Sequence, residues 1–301
     1  MTDLLERVAL APISWGICEV PGWGAMLPTD RVLTEMSSLG LRATELGAPG
    51  FLPDDPGLLC ELLGRYGMNL VGAFTPLQAH DPDRLATTLD AVRAQARRLS
   101  VAGATVLVSA LVQDEQWSIP RALSAAQHRQ LVRTLALVDE ICAEHGLRQV
   151  LHPHVQTLVE TADDVHRILD SCDVSWCLDT GHLAIGGVDP VRFAQEAGAR
   201  VGHVHLKDVR LDLAAPVLRR EVTLMEATQS GLFTPLGQGD VDIAGVIVML
   251  ESAGYRGCYV IEQDTAITGS LPPEGEGPVT QVRSSLSYLT DVVAPRLPGR
   301  G

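Results

Sequence analysis

Four apolar runs in the second half of the chain each end in side chains that can hold a divalent cation or move a proton. "RQVLHPH" (148–154) ends in His152 and His154, and "SWCLDTGH" (175–182) reaches Asp179. "VGHVHLKD" (201–208) carries His203 and His205, and "GCYVIEQD" (257–264) reaches Glu262. Imidazoles mixed with carboxylates suit Mn²⁺, Co²⁺, Zn²⁺ or Mg²⁺, unlike the all-thiolate set of a structural zinc site. Any one of these histidines alone reads as a hydrogen-bonded interior residue. Four successive run ends favour a shared metal site instead. Asp179, His205 and Glu262 are the first candidate ligands, and His152 and His154 compete for a fourth place. In a strand, residues two apart share a face, so each histidine pair points wholly inward or wholly outward. His203 lies one residue pair deeper than His205 and reads as a packed interior imidazole.

Groups suited to proton transfer flank this set. Lys207 follows His205 on the same face, placed for a substrate oxygen or for solvent at the rim. His182 falls in the polar stretch after Asp179, as a substrate contact, a proton carrier or a loop histidine bonded to backbone. Glu45 ends the run "RATELG" (42–47) on the opposite wall, where it could hold hydroxyls, act as a base or pair with a rim arginine. With His154, these residues form the pool for acid and base. Trp15, after the first run, is a pocket wall or simply core.

The elements that must position these groups alternate. Besides the four runs above, "VALAPISW" (8–15), "RATELG" (42–47), "MNLVGAFTP" (68–76) and "TVLVSAL" (105–111) read as strands. Stretches with helical apolar spacing lie between them, and helix starts are marked at Asp81-Pro82, at Thr161 with Asp164, and at Asp189-Pro190. Eight strands alternating with helices in a chain of 301 residues predict a single (β/α)₈ barrel, an α/β TIM barrel spanning 1–301. A doubly wound sheet would call for a glycine-rich phosphate loop after the first strand, and "SWGICEVPGWG" lacks that spacing. In a parallel barrel all strand ends converge on one mouth, which would bring the ligating groups together. The stretch 209–238 is too long for an ordinary connection and reads as a lid or pocket wall, or as a surface excursion. The tail after about residue 294 reads as disordered.

Composition narrows the partners. The formal charge of −14 repels a phosphate backbone and argues against nucleic acid. No apolar run is long enough to span a membrane, and the N-terminus, with Asp3 and Glu6, lacks a signal-peptide pattern. Six scattered cysteines without CxxC pairs suit reduced thiols and a cytoplasmic setting. A small-molecule ligand is the expected partner, with a homo-oligomer possible.

These motifs resemble the xylose-isomerase-like barrel superfamily of sugar isomerases, epimerases and dehydratases. The likeness runs through "APISWG", "TELG", "LHPHVQTLVET", "LDTGHLAIGGVDP", "HVHLKDVRLDL", "GLFTPLGQGDVD" and "VIEQD". "DTGH" and "HVHLKD" carry the superfamily. The "HxHxxTxVET" run, the connection ending in "GLFT" and the closing "EQD" lean towards the branch that dehydrates keto-inositols. The resemblance implies a metal set of Asp179, His205 and Glu262, with His152 where many relatives carry glutamate. It also implies Mn²⁺ or Co²⁺ first, with Mg²⁺ or Zn²⁺ behind them. One departure is Ala110, about where related dehydratases carry an acid at the end of the fourth strand. The expected reaction is loss of water from a polyol ketone, the ion stabilising an enediolate while a base takes the α-proton and an acid protonates the leaving hydroxyl. A ketose epimerase or isomerase would use the same groups. A non-catalytic sugar-binding barrel or an abasic-site endonuclease fits less well, the latter because no basic stripe is present.

Overall fold

The computed structural model describes residues 3–297. Its strands are β1 (Val8–Leu10), β2 (Ala43–Glu45), β3 (Asn69–Leu77), β4 (Val106–Leu111), β5 (Arg148–Leu151), β6 (Trp176–Asp179), β7 (Val201–Leu206), β8 (Asp208–Val209), β9 (Phe233–Thr234) and β10 (Tyr259–Ile261). All but β8 and β9 close into one parallel barrel in the order β1-β10-β7-β6-β5-β4-β3-β2. Helices cover the outside of the ring and side chains fill the inside, so a strand is buried on both faces. The continuous run VLVSAL of β4 is buried at every position for that reason.

Alternation along the strands separates two kinds of filling. Leu10, Leu107, Leu151, Leu178, Val204 and Ile261 belong to the large core between strands and helices. Small residues form separate clusters of Val106, Val108, Val150 and Cys177, and of Ala9, Ala11 and Val260. They leave room for His203 and His205, both 1 % exposed. The register sets Asp179 directly beside His205 and Cys177 beside His203.

The helix starts follow local chemistry. Asp189 accepts from the N–H of Val191 and Arg192 with Pro190 in the first turn. Thr161 and Asp164 close a reciprocal capping box, and Asp81 caps a short 3₁₀ turn before the helix Leu85–Val101. The first run departs from expectation. The strand stops at Leu10, and Pro12–Trp15 form a 3₁₀ turn. Trp15 is fully buried there, its indole N–H donating to Glu35 Oε2 at 2.8 Å, so it is core rather than pocket wall. Residues 294–296 form another 3₁₀ turn, and the tail from 298 lies outside the described residues.

The long connection after β7 is ordered. It holds the helices Leu211–Leu218 and Leu224–Gln229, and β8 and β9 pair antiparallel at its base. Asp208 pins the far end, its carboxylate accepting from the N–H of Gly237, Gly239 and Val241. A Cβ at Gly239 would lie 2.3 Å from Asp208 Oδ1, so the approach requires glycine. Arg220 pairs with Glu160 after β5, while Gln229 Nε2 donates to the carbonyls of Gly22 and Trp23 after β1. The connection thus runs along the mouth of the barrel and presents Phe233 to it, 5.2 Å from the Lys207 ammonium. All six cysteines are free, and among the described residues no helix is long and apolar enough to cross a membrane.

Candidate metal and catalytic site

Asp179 ends β6 and also caps the helix Thr180–Ile185 that follows at once. Its Oδ1 accepts from the backbone N–H of His182 at 2.7 Å. That leaves Oδ2 facing into the barrel mouth, 3.2 Å from His152 Nε2, 3.6 Å from Lys207 Nζ and 3.7 Å from His205 Nδ1. Burial alone would raise this carboxyl; the Lys207 ammonium and the surrounding imidazoles outweigh it and hold Asp179 well below the usual carboxylate range. Glu262 stands just past β10, its N–H bonded to the Leu206 carbonyl, and its Oε2 comes within 2.6 Å of His205 Nδ1. His152 stands just past β5, tied by its N–H to the Ser109 carbonyl at 2.8 Å.

The donor atoms of His152, Asp179, His205 and Glu262 all lie within 4.8 Å of one another. A divalent ion with bonds of roughly 2.1 Å needs its donors about 3–4 Å apart, a spacing this set can meet. The chemistry of the atoms supports the fit. His152 Nδ1, His205 Nδ1 and Glu262 Oε2 are buried and have no hydrogen-bond partner. His205 Nδ1 and Glu262 Oε2 stand 2.6 Å apart; burial would lower this imidazole, but the charges around it, Glu262 and Glu45 among them, hold it well above its usual pKa. A cation bound among these donors would take the place of the imidazole proton, as metal binding to a histidine requires.

His205 is held from behind. Its Nε2 donates to Glu45 Oε1 at 3.0 Å, and the same oxygen takes His203 Nε2 at 2.9 Å. A histidine bonded to a carboxylate on one ring nitrogen offers the other, here Nδ1, as the ligand. Glu45 is therefore in the barrel interior beneath the cluster, paired with histidines and not with a rim arginine. Burial would raise its pKa, but His205 and His203 carry it below the ordinary range.

Lys207 is not a solvated rim residue. It is 2 % exposed, with Nζ 2.8 Å from Asp264, 3.4 Å from Glu262 and 3.2 Å from His182 Nε2. Burial would lower its pKa; the carboxylates of Asp264, Glu262 and Asp179 more than reverse this and keep it an ammonium. His182 lies in the short helix after Asp179, 1 % exposed, and not in a loop. Its ring is tilted against that of His154 with centroids 3.9 Å apart. His154 Nδ1 bonds the Val155 carbonyl, which can only accept, so the ring proton sits on Nδ1 and Nε2 keeps its lone pair. Burial, together with the charges of His152 and Lys207, pushes His154 down to about 3 and keeps it neutral.

Asp264 is the group sequence reasoning passed over. Its signal was the spacing of two from Glu262, the same one that marked the histidine pairs. It is 5 % exposed, and burial pushes its carboxyl up to about 6 in spite of Lys207. Ala110, buried near the end of β4, contributes no polar group.

A closed parallel ring whose C-terminal mouth gathers acids and imidazoles is a (β/α)₈ barrel with a candidate cation site at its mouth. The chain belongs to the xylose isomerase-like TIM barrel family, whose model matches residues 33–291. It is similar to the inosose dehydratase of Geobacillus kaustophilus (strain HTA426), 34% identical over 95% of this chain and 94% of that one. It is 30% identical to the rhizopine catabolism protein MocC of Rhizobium meliloti, over 86% of this chain and 81% of that protein. Among solved structures, an L-ribulose 3-epimerase matches with a TM-score of 0.70 at 16% identity, covering 96% of each chain, a likeness of fold.

Proposed function

We propose that this protein is a divalent-metal-dependent hydro-lyase that removes water from a polyol ketone of the keto-inositol class. The observation that carries the reading is the meeting of His152, Asp179, His205 and Glu262 beside Lys207 at one mouth. It is supported by near full-length similarity to an inosose dehydratase. Those four residues would hold the ion; their mixed imidazole and carboxylate donors suit Mn²⁺, Co²⁺, Zn²⁺ or Mg²⁺, and the family resemblance puts Mn²⁺ or Co²⁺ first. When bound, the ion supplies Lewis-acid stabilisation of the negative charge that develops on the ketone oxygen.

The remaining steps belong to the protein. His154, neutral with a free Nε2, takes the proton α to the ketone. The electrons of that C–H bond form the new double bond as the β-hydroxyl departs. Lys207, the buried ammonium beside the cluster, gives that hydroxyl the proton with which it leaves as water. His182 stands between acid and base, against His154 on one side and Lys207 on the other. Glu45 acts through His205, and Asp264 holds Lys207 in place. The water-poor barrel interior strengthens each of these interactions.

The test is incubation of chelator-stripped, Mn²⁺-reloaded protein with 2-keto-myo-inositol, followed by ultraviolet absorbance of the conjugated product. Absorbance that grows only with the metal is expected. Interconversion of open-chain ketoses on a chromatographic panel, with no such absorbance, would replace this reading with an epimerase or isomerase.

A further inference from the structure

Phe74 lies in β3 yet is 37 % exposed, an aromatic face left open. It opens beside the cluster. Its ring centroid is 5.8 Å from that of His152 and 6.0 Å from that of His154. Trp117 stacks on it at 6.0 Å with the planes 16° apart, and Trp117 is itself 5.5 Å from His154. Two stacked, nearly parallel aromatic rings therefore stand against His152 and His154.

Trp117 is held there under strain. Its φ is 54°, in the left-handed region that bulky residues avoid. Among the described residues the only other non-glycine residues with positive φ are Gln156 at 65° and Arg220 at 61°. All three belong to one polar chain. Gln156 Nε2 donates to the Trp117 carbonyl, Gln156 N–H donates to Glu160 Oε1 at 2.9 Å, and Arg220 grips both Glu160 oxygens. Strain of this kind persists only where its surroundings over-determine it, and it clusters at functional sites. Here the chain joins the loops after β4 and β5 to the long connection, around the mouth.

We propose that Phe74 and Trp117 form a ring platform selecting a closed, hydroxyl-rimmed carbocycle over an open-chain ketose, with Gln156, Glu160 and Arg220 as the positioning residues that hold Trp117. The proposal rests on the reading of the cluster as a polyol-ketone site. A cyclohexane ring with mainly equatorial hydroxyls has an apolar face of axial C–H bonds, while its polar groups point outward from the rim. Such a face can lie on aromatic rings while the rim oxygens reach the cluster. An extended ketose has no comparable flat apolar face, so the platform gives it little. Sites of this sort combine a mostly apolar wall with a few fixed polar groups.

The experiment uses Mn²⁺-loaded wild type, Phe74→Leu, Trp117→Leu, Trp117→Phe and Glu160→Gln. For each, Mn²⁺ affinity is measured, then Kd by calorimetry for myo-inositol and for sorbitol, and kcat and KM on 2-keto-myo-inositol. The two leucine variants should weaken myo-inositol binding and raise KM about tenfold, the scale of one lost aromatic contact. Sorbitol binding and Mn²⁺ affinity should not move. Trp117→Phe, which keeps a ring, should retain most of the binding, and it stands in for Trp117→Leu should that variant fail to fold. Glu160→Gln should raise KM for the cyclic substrate more than it lowers kcat. Unchanged myo-inositol binding in the leucine variants, or equal losses for both polyols, overturns the platform even if wild type dehydrates the ketone. Selective myo-inositol binding lost in those variants, without turnover by wild type, keeps the platform and refutes the proposed reaction.

Discussion

Replacing Glu45 by Gln should weaken the metal site without touching a ligand. Glu45 Oε1 accepts from two imidazoles, at 2.9 and 3.0 Å, and the residue is 5 % exposed. Hydrogen bonds to a charged acceptor are worth about 1.5–3 kcal/mol against about 0.5–1.5 for a neutral one, so the amide costs roughly 1 kcal/mol at each contact. Half of that loss falls on His205, whose Nδ1 depends on the carboxylate behind Nε2 for its donor strength. Loss of such a supporting carboxylate typically costs 10–100-fold in metal affinity, about 1.4–2.7 kcal/mol. The alanine variant, which strands two buried N–H groups, should also lose about 2–6 kcal/mol of folding stability. The assay is Mn²⁺ competition against a chromogenic chelator, with kcat measured at saturating metal. If Glu45→Gln binds Mn²⁺ as tightly as wild type while kcat collapses, Glu45 is a proton-transfer group and the positioning argument fails.

Three further outcomes follow from the same geometry. Asp179→Asn should lose metal binding yet keep the helix cap, whereas Asp179→Ala should lose both and cost about 1 kcal/mol more in urea unfolding; equal stability of the two variants would contradict the dual role. Lys207→Met leaves Asp264, Glu262 and Asp179 uncompensated, which should destabilise the metal-free protein by about 3–5 kcal/mol. Added Mn²⁺ should then raise Tm more in this variant than in wild type, and an equal rise would count against a shared cation site. Asp208→Ala removes the acceptor for three N–H groups at the end of the long connection, so limited proteolysis within 209–238 should accelerate; a wild-type cleavage pattern would show that the pin does not hold that segment.

Much of this architecture was legible because a parallel barrel converts strand ends into one neighbourhood. Period-two spacing marked His203 with His205, and apolar runs marked where strands stop. Depth was harder to read. Glu45 was visible as a strand-end acid, but only the stagger of the ring sets it beneath His205. His182 read as a loop residue because "DTGHLAIGG" is rich in glycine. Gly181 in fact lets the short helix approach Lys207, whose Cγ would lie 2.7 Å from a Cβ at that position. The capping role of Asp179 was hidden by the same reading. Asp264 carried the right spacing and was passed over in favour of Glu262. The strained set of Trp117, Gln156 and Arg220 left no trace, since non-glycine residues do not advertise a left-handed backbone.

The central claim is that the four groups share one ion. Crystals of chelator-stripped protein soaked in Mn²⁺ and measured above the manganese absorption edge would test it directly. A single anomalous peak is expected about 2.0–2.3 Å from donor atoms of His152, Asp179, His205 and Glu262. A fully soaked crystal with no peak there, or with manganese bound only elsewhere, would contradict the account.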